Sequence, residues 1–209
     1  MSLSFLDLPI NLIIFHQRKE DNLIFDEMLV FLIAFILVLI LVVATYNQLV
    51  RLRNQANEGW SGIDVQLKRR ADLVPNLVIT VKGYAQHEDQ LLEEITALRS
   101  QSMTDQPVSK QSKTALDLSK SLNKLMIVAE AYPNLKADKN FLKLQEQLSE
   151  IENTLQKARR YYNGTVREMN TKIESFPSNI VALIFNFSKF EFFALSDESD
   201  RAVPEINLS

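Results

Sequence analysis

The chain has 209 residues, with four glycines, six prolines, no cysteine and a formal net charge of −3. The lack of cysteine excludes disulfides, thiolate metal ligands and cysteine nucleophiles, and the low glycine and proline content favours helices over a turn-rich β architecture. The net charge comes from residues 1–45, which carry two basic and five acidic side chains, so the remainder is neutral and gives no electrostatic case for nucleic-acid binding.

Residues 1–27 form a short N-terminal tail. Its apolar patch, residues 3–15, is interrupted by Asp7 and Pro9 and is too short to span a bilayer. The tail also lacks the basic start and the small-residue cleavage site of a secretory signal. An alternative hypothesis is that Met28 is the natural first residue. The intact mass of the native protein tests it, and recovery of a peptide covering residues 5–18 would contradict it.

Residues 28–45 are predicted to be a transmembrane helix in contact with the lipid bilayer. These 18 residues include no charged side chain, and at about 1.5 Å per residue they span roughly 27 Å, close to the hydrocarbon thickness of a bilayer. A buried core helix is rarely apolar on every face over such a length. Lys and Arg flank the span equally, so the charge rule leaves its sidedness open. If Met28 is the first residue, the rule favours a cytoplasmic C-terminal domain.

Residues 46–187 are predicted to form a helical bundle. Apolar residues three and four apart over residues 49–74 describe one face of a helix that continues from the membrane span. Pro75 is expected to end or kink this helix, because proline lacks a backbone N–H and clashes with the preceding turn. A second helix is expected to restart at Asn76 or Thr80.

The later part of the bundle is predicted to contain two more long helices. A polar loop, residues 101–113, leads into a third helix over about residues 112–131. The fourth helix, residues 141–173, has ten apolar positions at alternating spacings of three and four, which is typical of a coiled-coil-like seam. Ser178 is predicted to cap a final short helix that runs through Phe187. The predicted fold class is therefore all-α, with an N-terminal transmembrane helix followed by an up-and-down four-helix bundle.

No arrangement of residues is typical of a catalytic site. His87-Glu88 begins like the helix motif of zinc proteases, but position 91 holds Leu where the second histidine is required. The phosphate-binding glycine motifs and the nucleophile elbow are absent, and so are the Glu-x-x-His pairs of di-metal bundles. No catalytic, cofactor-binding or metal-ligating residue is assigned, and we predict that the chain is not an enzyme and needs no cofactor.

The densest polar group provides five candidate partner-docking residues, namely Asp64, Lys68, Arg69, Arg70 and Asp72. Binding of lipid headgroups is disfavoured, because Lys68 would lie about 35 Å beyond residue 45 on a continuous helix, several Debye lengths from the membrane. Two alternatives remain. The charges pair within the protein, Asp64 with Lys68 and Asp72 with a neighbouring helix, or they form a docking corner for a protein partner.

Residues 188–209 are predicted to be an extended or frayed C-terminal tail, and its aromatic residues Phe190, Phe192 and Phe193 are further candidate docking residues. From Phe185 onwards phenylalanine recurs with a period near two. The segment is expected either to lie across the bundle as a lid or to form an exposed aromatic patch for a partner or a membrane surface.

Five long blocks of the sequence resemble the LemA family: YNQLVRLRN (46–54), WSGIDVQLKRRADLVPNLV (60–78), VKGYAQHE (81–88), EAYPNLKADKNFLKLQEQL (130–148) and ARRYYNGTVREMNTKIESFPSN (158–179). The resemblance covers about residues 28–187. It implies a single-pass protein of the bacterial inner or plasma membrane whose four-helix bundle lies in the cytoplasm. It implies no established enzymatic activity, and some relatives are tied to membrane-organelle formation. Asn186 departs from the family, which tends to have glycine there, and the tail of residues 1–27 is longer than expected.

The leading functional hypothesis is a membrane-anchored helical scaffold or adaptor that acts through protein–protein interaction. Its partners would be unidentified proteins or further copies of the same chain. The alternative is a membrane-remodelling or organelle-organising protein that acts by lateral association or lipid contact. Binding of residues 46–209 to liposomes distinguishes the two, because a scaffold domain should ignore lipid.

Overall fold

A computed structural model describes residues 7–85 and 87–194. These residues contain no strand and form six helices: α1 (Asp7–Lys82), α2 (Asp89–Ser102), α3 (Val108–Ala129), α4 (Pro133–Lys136), α5 (Lys139–Glu174) and α6 (Ser178–Ile184). The chain divides into two units, Met1–Gln48 and Leu49–Ser209. The predicted all-α class is confirmed, and the bundle consists of the later part of α1 together with α2, α3 and α5.

In the first unit, α1 exposes large apolar side chains on every face between Phe25 and Val43. Phe31 is 74% exposed, and none of the most apolar 18-residue window is buried inside the protein. A core helix of a soluble protein would bury such side chains, since each one left in water costs about 1.5–3 kcal/mol. By length and composition, α1 is able to cross a membrane.

Two apolar clusters hold the second unit together. The leucine core draws most of its buried residues from α1, α2, α3 and α5, whose apolar positions recur at spacings of three and four, with Leu135 from α4 and Ala85 from the connection after α1. It consists of Val74, Leu77, Val81, Ala85, Leu92, Ile95, Leu118, Leu122, Leu125, Ala129, Leu135, Phe141 and Leu148. The aromatic core consists of Ala56, Ile63, Leu67, Ala115, Leu155, Tyr162, Val166 and Phe193, with Trp60, Val108, Ala158 and Phe190 packed against it.

Pro75 does not end α1, and no second helix begins at Asn76 or Thr80, so these two predictions were wrong. The helix continues to Lys82, and the chain turns only at residues 83–88. Proline cannot donate to the carbonyl four residues earlier, which leaves the Ala71 oxygen without its helical partner. Arg99 on α2 supplies the missing bond, because its Nε donates to the Ala71 oxygen at 3.0 Å. The Arg99 side chain, 28 positions from Ala71, thus satisfies the carbonyl group that Pro75 leaves free, and the helix continues beyond the proline.

The other helix boundaries differ from the prediction by a few residues. α3 begins at Val108, inside the segment predicted as a loop, directly after Pro107 in an extended conformation. α5 begins at Lys139 because the Asp138 carboxylate accepts hydrogen bonds from the Asn140 and Phe141 backbone N–H groups, at 2.8 and 2.9 Å. The hydrogen bond from the Phe141 N–H contributes most to lowering the pKa of Asp138, and the bond from Asn140 also lowers it.

Ser178 does not cap α6, contrary to the prediction. It is the first residue of that helix, and its hydroxyl donates to the carbonyls of Lys172 and Ser175 at 2.7 and 2.9 Å. Lys172 lies in the last turn of α5, where helix geometry leaves carbonyl groups without an intrahelical partner, and the Ser175 carbonyl also accepts the Asn179 N–H at 2.8 Å. Ser178 therefore closes α5 instead of opening α6, and α6 itself ends at Ile184, three residues before the predicted end.

Candidate functional site

The five charged candidates on α1 divide between the surface and the interior. Asp64, Lys68, Arg69 and Asp72 are exposed, whereas Arg70 is fully buried. Arg70 follows Leu67 by three residues and precedes Val74 by four, so helix geometry places it on the inward face despite its charge. Within residues 25–85 and 87–194 no ion pair joins Asp64 to Lys68, and Arg69 instead donates to Gln66 at 3.3 Å.

An open cleft of about 500 Å³ lies beside the exposed charges of α1. Trp60, Asp64 and Lys68 form one wall, and the connection between α2 and α3 forms the other. This volume is within the range of small-ligand and peptide sites. The cleft combines an aromatic surface with one basic side chain, Lys68, and two acidic ones, Asp64 and Asp105, which suits a partner that is both apolar and polar.

Arg70 is held in the interior by a small polar network. Its Nη1 donates to the Glu152 carboxylate at 2.9 Å and to the Ser119 hydroxyl at 2.7 Å. The Glu152 side chain is 32% exposed, so the carboxylate reaches from the guanidinium towards solvent. This is the pairing within the protein that Arg70 makes, and it joins α1, α3 and α5.

A second arginine, Arg159 on α5, is buried close to the first and is 7% exposed. Burial, together with the positive charge of Arg70, lowers the pKa of Arg159 to about 10, and the charge of Glu152 partly opposes that shift. In both arginines the Nε and Nη2 atoms are buried and have no hydrogen-bond partner among the described residues. These two atoms form the edge of a guanidinium that binds a carboxylate through two parallel hydrogen bonds.

Residues 189–194, which we call the strap, lie along α5, as expected of the lid alternative. Asn163 and Asn170 each hold one strap residue by both of its backbone groups. The Asn163 side chain bonds the N–H and C=O of Phe193 at 2.9 and 2.8 Å. The Asn170 side chain does the same for Phe190, at 2.9 Å for both bonds.

A tyrosine directly before Asn163 completes the attachment of the strap. The Tyr162 hydroxyl donates to the Glu191 carbonyl oxygen at 2.8 Å. Burial, and next the charge of Glu191, raise the pKa of Tyr162 to about 12. The strap is thus held mainly through its backbone, with an added ion pair between Lys189 and Glu174 at its start.

The three aromatic candidates of the strap differ in exposure. Phe193 is buried and stacks against two groups: its ring centroid lies 6.2 Å from that of Trp60 and 4.8 Å from the Arg159 guanidinium carbon. Phe190 packs half-buried on the aromatic core, and Phe192 is 48% exposed. Because Trp60 also lines the cleft, the structure brings the strap and the charged residues of α1 to the same region.

The sequence analysis did not identify Asn163, Asn170, Arg159 and Glu152 as site residues. One signal was present, since Asn163 and Asn170 are seven positions apart and therefore share one face of α5. The role of Arg159 had no local signal, because it depends on contacts with Arg70 and Phe193, which are distant in the sequence.

The fold and the site together define a class of protein, a helical bundle whose first helix is able to cross a membrane. The LemA family model matches residues 59–208, and the chain belongs to the LemA family. It is 29% identical over 153 residues to protein LemA of Metamycoplasma hominis, covering 72% of this chain and 69% of that protein.

Two further relatives are magnetosome proteins. The chain is 23% identical over 188 residues to magnetosome protein MamQ of Magnetospirillum gryphiswaldense, covering 78% of this chain and 68% of that protein. It is 28% identical over 83 residues to magnetosome protein MamQ 2 of Paramagnetospirillum magneticum, covering 40% and 30%. These relatives favour a membrane-associated protein, and none of them is named for an enzymatic activity.

Proposed function

We propose that the chain is a membrane-anchored helical scaffold or adaptor that acts through protein–protein interaction and not as an enzyme. Residues 28–45 would cross a bacterial inner or plasma membrane once, with the bundle in the cytoplasm. The supporting observation is the exposed charged surface of α1, formed by Asp64, Lys68, Arg69 and Asp72, next to the cleft and the strap. Polar side chains that surround an aromatic surface are typical of protein-docking sites.

Photocrosslinking in native membranes tests this proposal. A photoreactive amino acid at position 64 or 68 is expected to yield crosslinks to one or a few proteins. The matched control is position 146, an exposed glutamate on α5 that lies outside the cleft. Equal crosslinking at all three positions, or none at positions 64 and 68, would contradict docking at this surface. Reporter fusions at residues 1 and 209 determine the compartment in which the partners must lie.

A second candidate function is membrane organisation by lipid contact or lateral association. It is favoured by the exposed apolar side chains around α6, where Phe176 and Leu183 are both 79% exposed. The relatives that are named as magnetosome proteins also favour it. Binding of the full chain, reconstituted in neutral nanodiscs, to separate anionic liposomes distinguishes the two. The membrane-organising function predicts that the chain binds these liposomes and that a Phe176→Ser, Leu183→Ser variant binds them more weakly. The scaffold function predicts no binding to the liposomes.

A further inference from the structure

The groove on α5, formed by Tyr162, Asn163 and Asn170, holds the strap mainly through backbone contacts, which do not depend on the side chains of the strap. Asn163 and Asn170 bond only to backbone N–H and C=O groups, at 2.8–2.9 Å. Tyr162 likewise donates to a backbone carbonyl oxygen. Every residue except proline carries both of these backbone groups. The groove is therefore suited to hold other extended segments as well as the strap.

The spacing of the two asparagines matches an extended chain. Seven residues along a helix correspond to a rise of about 10.5 Å, and three residues along an extended strand correspond to about 10 Å. Asn163 and Asn170 are seven positions apart, and the residues they bind, Phe193 and Phe190, are three apart. The two asparagines are thus spaced to bind residues three apart on an extended backbone. The same residues on a helical segment would lie too close together to reach both.

One side-chain position in the groove is specific for an aromatic ring. The Phe193 ring contacts both the Trp60 indole and the Arg159 guanidinium: its centroid lies 6.2 Å from the Trp60 ring centroid and 4.8 Å from the Arg159 guanidinium carbon. Aromatic pairs and cation–π contacts at such distances favour an aromatic over an aliphatic side chain. The ring also covers Arg159, so the guanidinium becomes accessible when the strap leaves.

The charge around this position is unbalanced. Arg70 and Arg159 are 0% and 7% exposed, and Glu152 is the one carboxylate that bonds to either of them among the described residues. The Nε and Nη2 edges of both arginines have no partner there. Glu191 of the strap does not fill this role, because its carboxylate accepts from the Ser109 N–H at 3.2 Å. Buried donors without partners are unfavourable, so the strap is an imperfect ligand for its own groove.

We propose that the groove on α5 is a docking site for an extended acidic segment of a partner protein, with an aromatic residue next to the acid. The strap occupies the groove until such a segment displaces it. The incoming segment would keep the backbone bonds to Asn163 and Asn170, place its ring against Trp60 and bring a carboxylate to Arg159. This inference rests on the proposed scaffold function and names the chemistry of the partner.

Peptide binding to the full chain in phosphatidylcholine nanodiscs tests the proposal. Three labelled peptides are compared by fluorescence anisotropy: residues 188–194 (SKFEFFA), the same peptide with Phe192→Asp and Ala194→Asp, and the isosteric version with Asn at both positions. The Asp peptide is expected to bind roughly fivefold tighter than the Asn peptide. It is also expected to speed hydrogen exchange at the Phe190 and Phe193 amides of the protein, since it displaces the strap.

Two chain variants locate the binding. Phe193→Ala weakens the strap, so the Asp peptide is expected to bind roughly tenfold tighter to this variant. Arg159→Met should reduce the preference for Asp over Asn to about one, with circular dichroism confirming that the bundle remains helical. If Arg159→Met does not fold, the preference in the unaltered chain and the exchange of the strap amides still decide the matter.

Three results would overturn the proposal. The first is equal binding of the Asp and Asn peptides, and the second is binding that leaves exchange of the strap amides unchanged. The third is displacement by the unaltered strap peptide as effective as by the Asp peptide, which would indicate that a second copy of this chain occupies the groove. If the chain crosslinks partners at positions 64 and 68 while any of these results holds, the scaffold function stands and the groove proposal fails.

Discussion

The two cores of the bundle differ in how completely their neighbouring polar groups are hydrogen-bonded. In the leucine core the buried set is apolar, and the polar groups at its edge are paired: the Tyr84 hydroxyl bonds to Asp138 at 3.0 Å and that of Tyr132 to Glu88 at 3.2 Å. The aromatic core lies beside two buried arginines whose donors are only partly paired, and it takes one of its members, Phe193, from the strap.

The difference indicates which part of the molecule serves stability alone. A sequence that specifies one structure normally satisfies its buried polar groups, and departures from that rule tend to occur at functional sites. The leucine core has no such departure, so we expect it to respond to mutation by cavity energetics only. The aromatic core should respond to charge, to pH and to the state of the strap.

Truncation in the leucine core is expected to have the largest effect. Leu118 is fully buried, and Leu118→Ala should lower the free energy of unfolding by about 3–4 kcal/mol, because the lost methyl groups leave a cavity. Denaturant unfolding of the full chain in detergent, followed by circular dichroism, measures it. The control is Leu142→Ala on α5, whose side chain is 48% exposed and should cost under about 1 kcal/mol. Similar losses for both variants would contradict the assignment of the core.

Neutralising one carboxylate should affect the aromatic core almost as strongly. Glu152→Gln leaves Arg70 and Arg159 buried without a counter-charge, so we expect a loss of about 3 kcal/mol despite the unchanged side-chain size. Glu150→Gln, an exposed neighbour on α5, should change the stability by less than about 0.5 kcal/mol. Adding Arg70→Met to Glu152→Gln should restore most of the loss. If it does not, the pair is not the source of the effect.

The Tyr162 hydroxyl should make the stability of this region depend on alkaline pH. Its pKa is about 12 in the folded protein against 10.0 for an unperturbed phenol, so between these values the folded state binds the proton more tightly and stability falls as pH rises. The lowered pKa of Arg159 acts in the opposite direction, so the comparison must be made with Tyr162→Phe.

Tyr162→Phe should therefore cost about 1 kcal/mol at pH 8, where the hydrogen bond to Glu191 is intact, and close to nothing at pH 11. Unfolding curves at the two pH values provide the measurement. Tyr161→Phe is the matched control, because that side chain is half exposed and should cost little at either pH. A constant cost of Tyr162→Phe across the range would show that the hydroxyl does not contribute through its proton.

The same contrast separates what could be predicted from the sequence. The helices and the leucine core follow from apolar spacings of three and four, which are local patterns. The passage of α1 through Pro75 could not be predicted, because it depends on Arg99 donating to Ala71 across 28 positions. Arg70 was a candidate for a docking surface because of its charge, with pairing inside the protein as the alternative, although its position between Leu67 and Val74 was a signal of burial.

The strap was predictable only in part for the same reason. The spacing of its phenylalanines predicted a segment with alternating faces, and one alternative placed it across the bundle. Its attachment through the Asn163 and Asn170 amides depends on the relative position of two segments whose bonded residues are 20 and 30 positions apart. No sequence pattern within either segment predicts how the two segments are placed relative to each other.

Three glycines offer the smallest and most local test of the two regions. Gly62 and Gly164 have open space where a Cβ would lie, so Ala at either position should raise the stability by up to about 1 kcal/mol through helix propensity. At Gly59 a Cβ would lie 3.2 Å from both the Tyr162 Cα and the Tyr161 Cδ1, so α1 and α5 would have to separate by a few tenths of an ångström. Gly59→Ala should therefore be less stable than Gly62→Ala, and it should alter Trp60 fluorescence because the Trp60–Tyr162 contact at 5.6 Å lies next to it.

A Gly59→Ala variant as stable as Gly62→Ala, with unchanged fluorescence, would mean that the approach of α1 to α5 at Gly59 is loose enough to accommodate a methyl group. The aromatic core would then be held by the strap more than by the approach of the two helices.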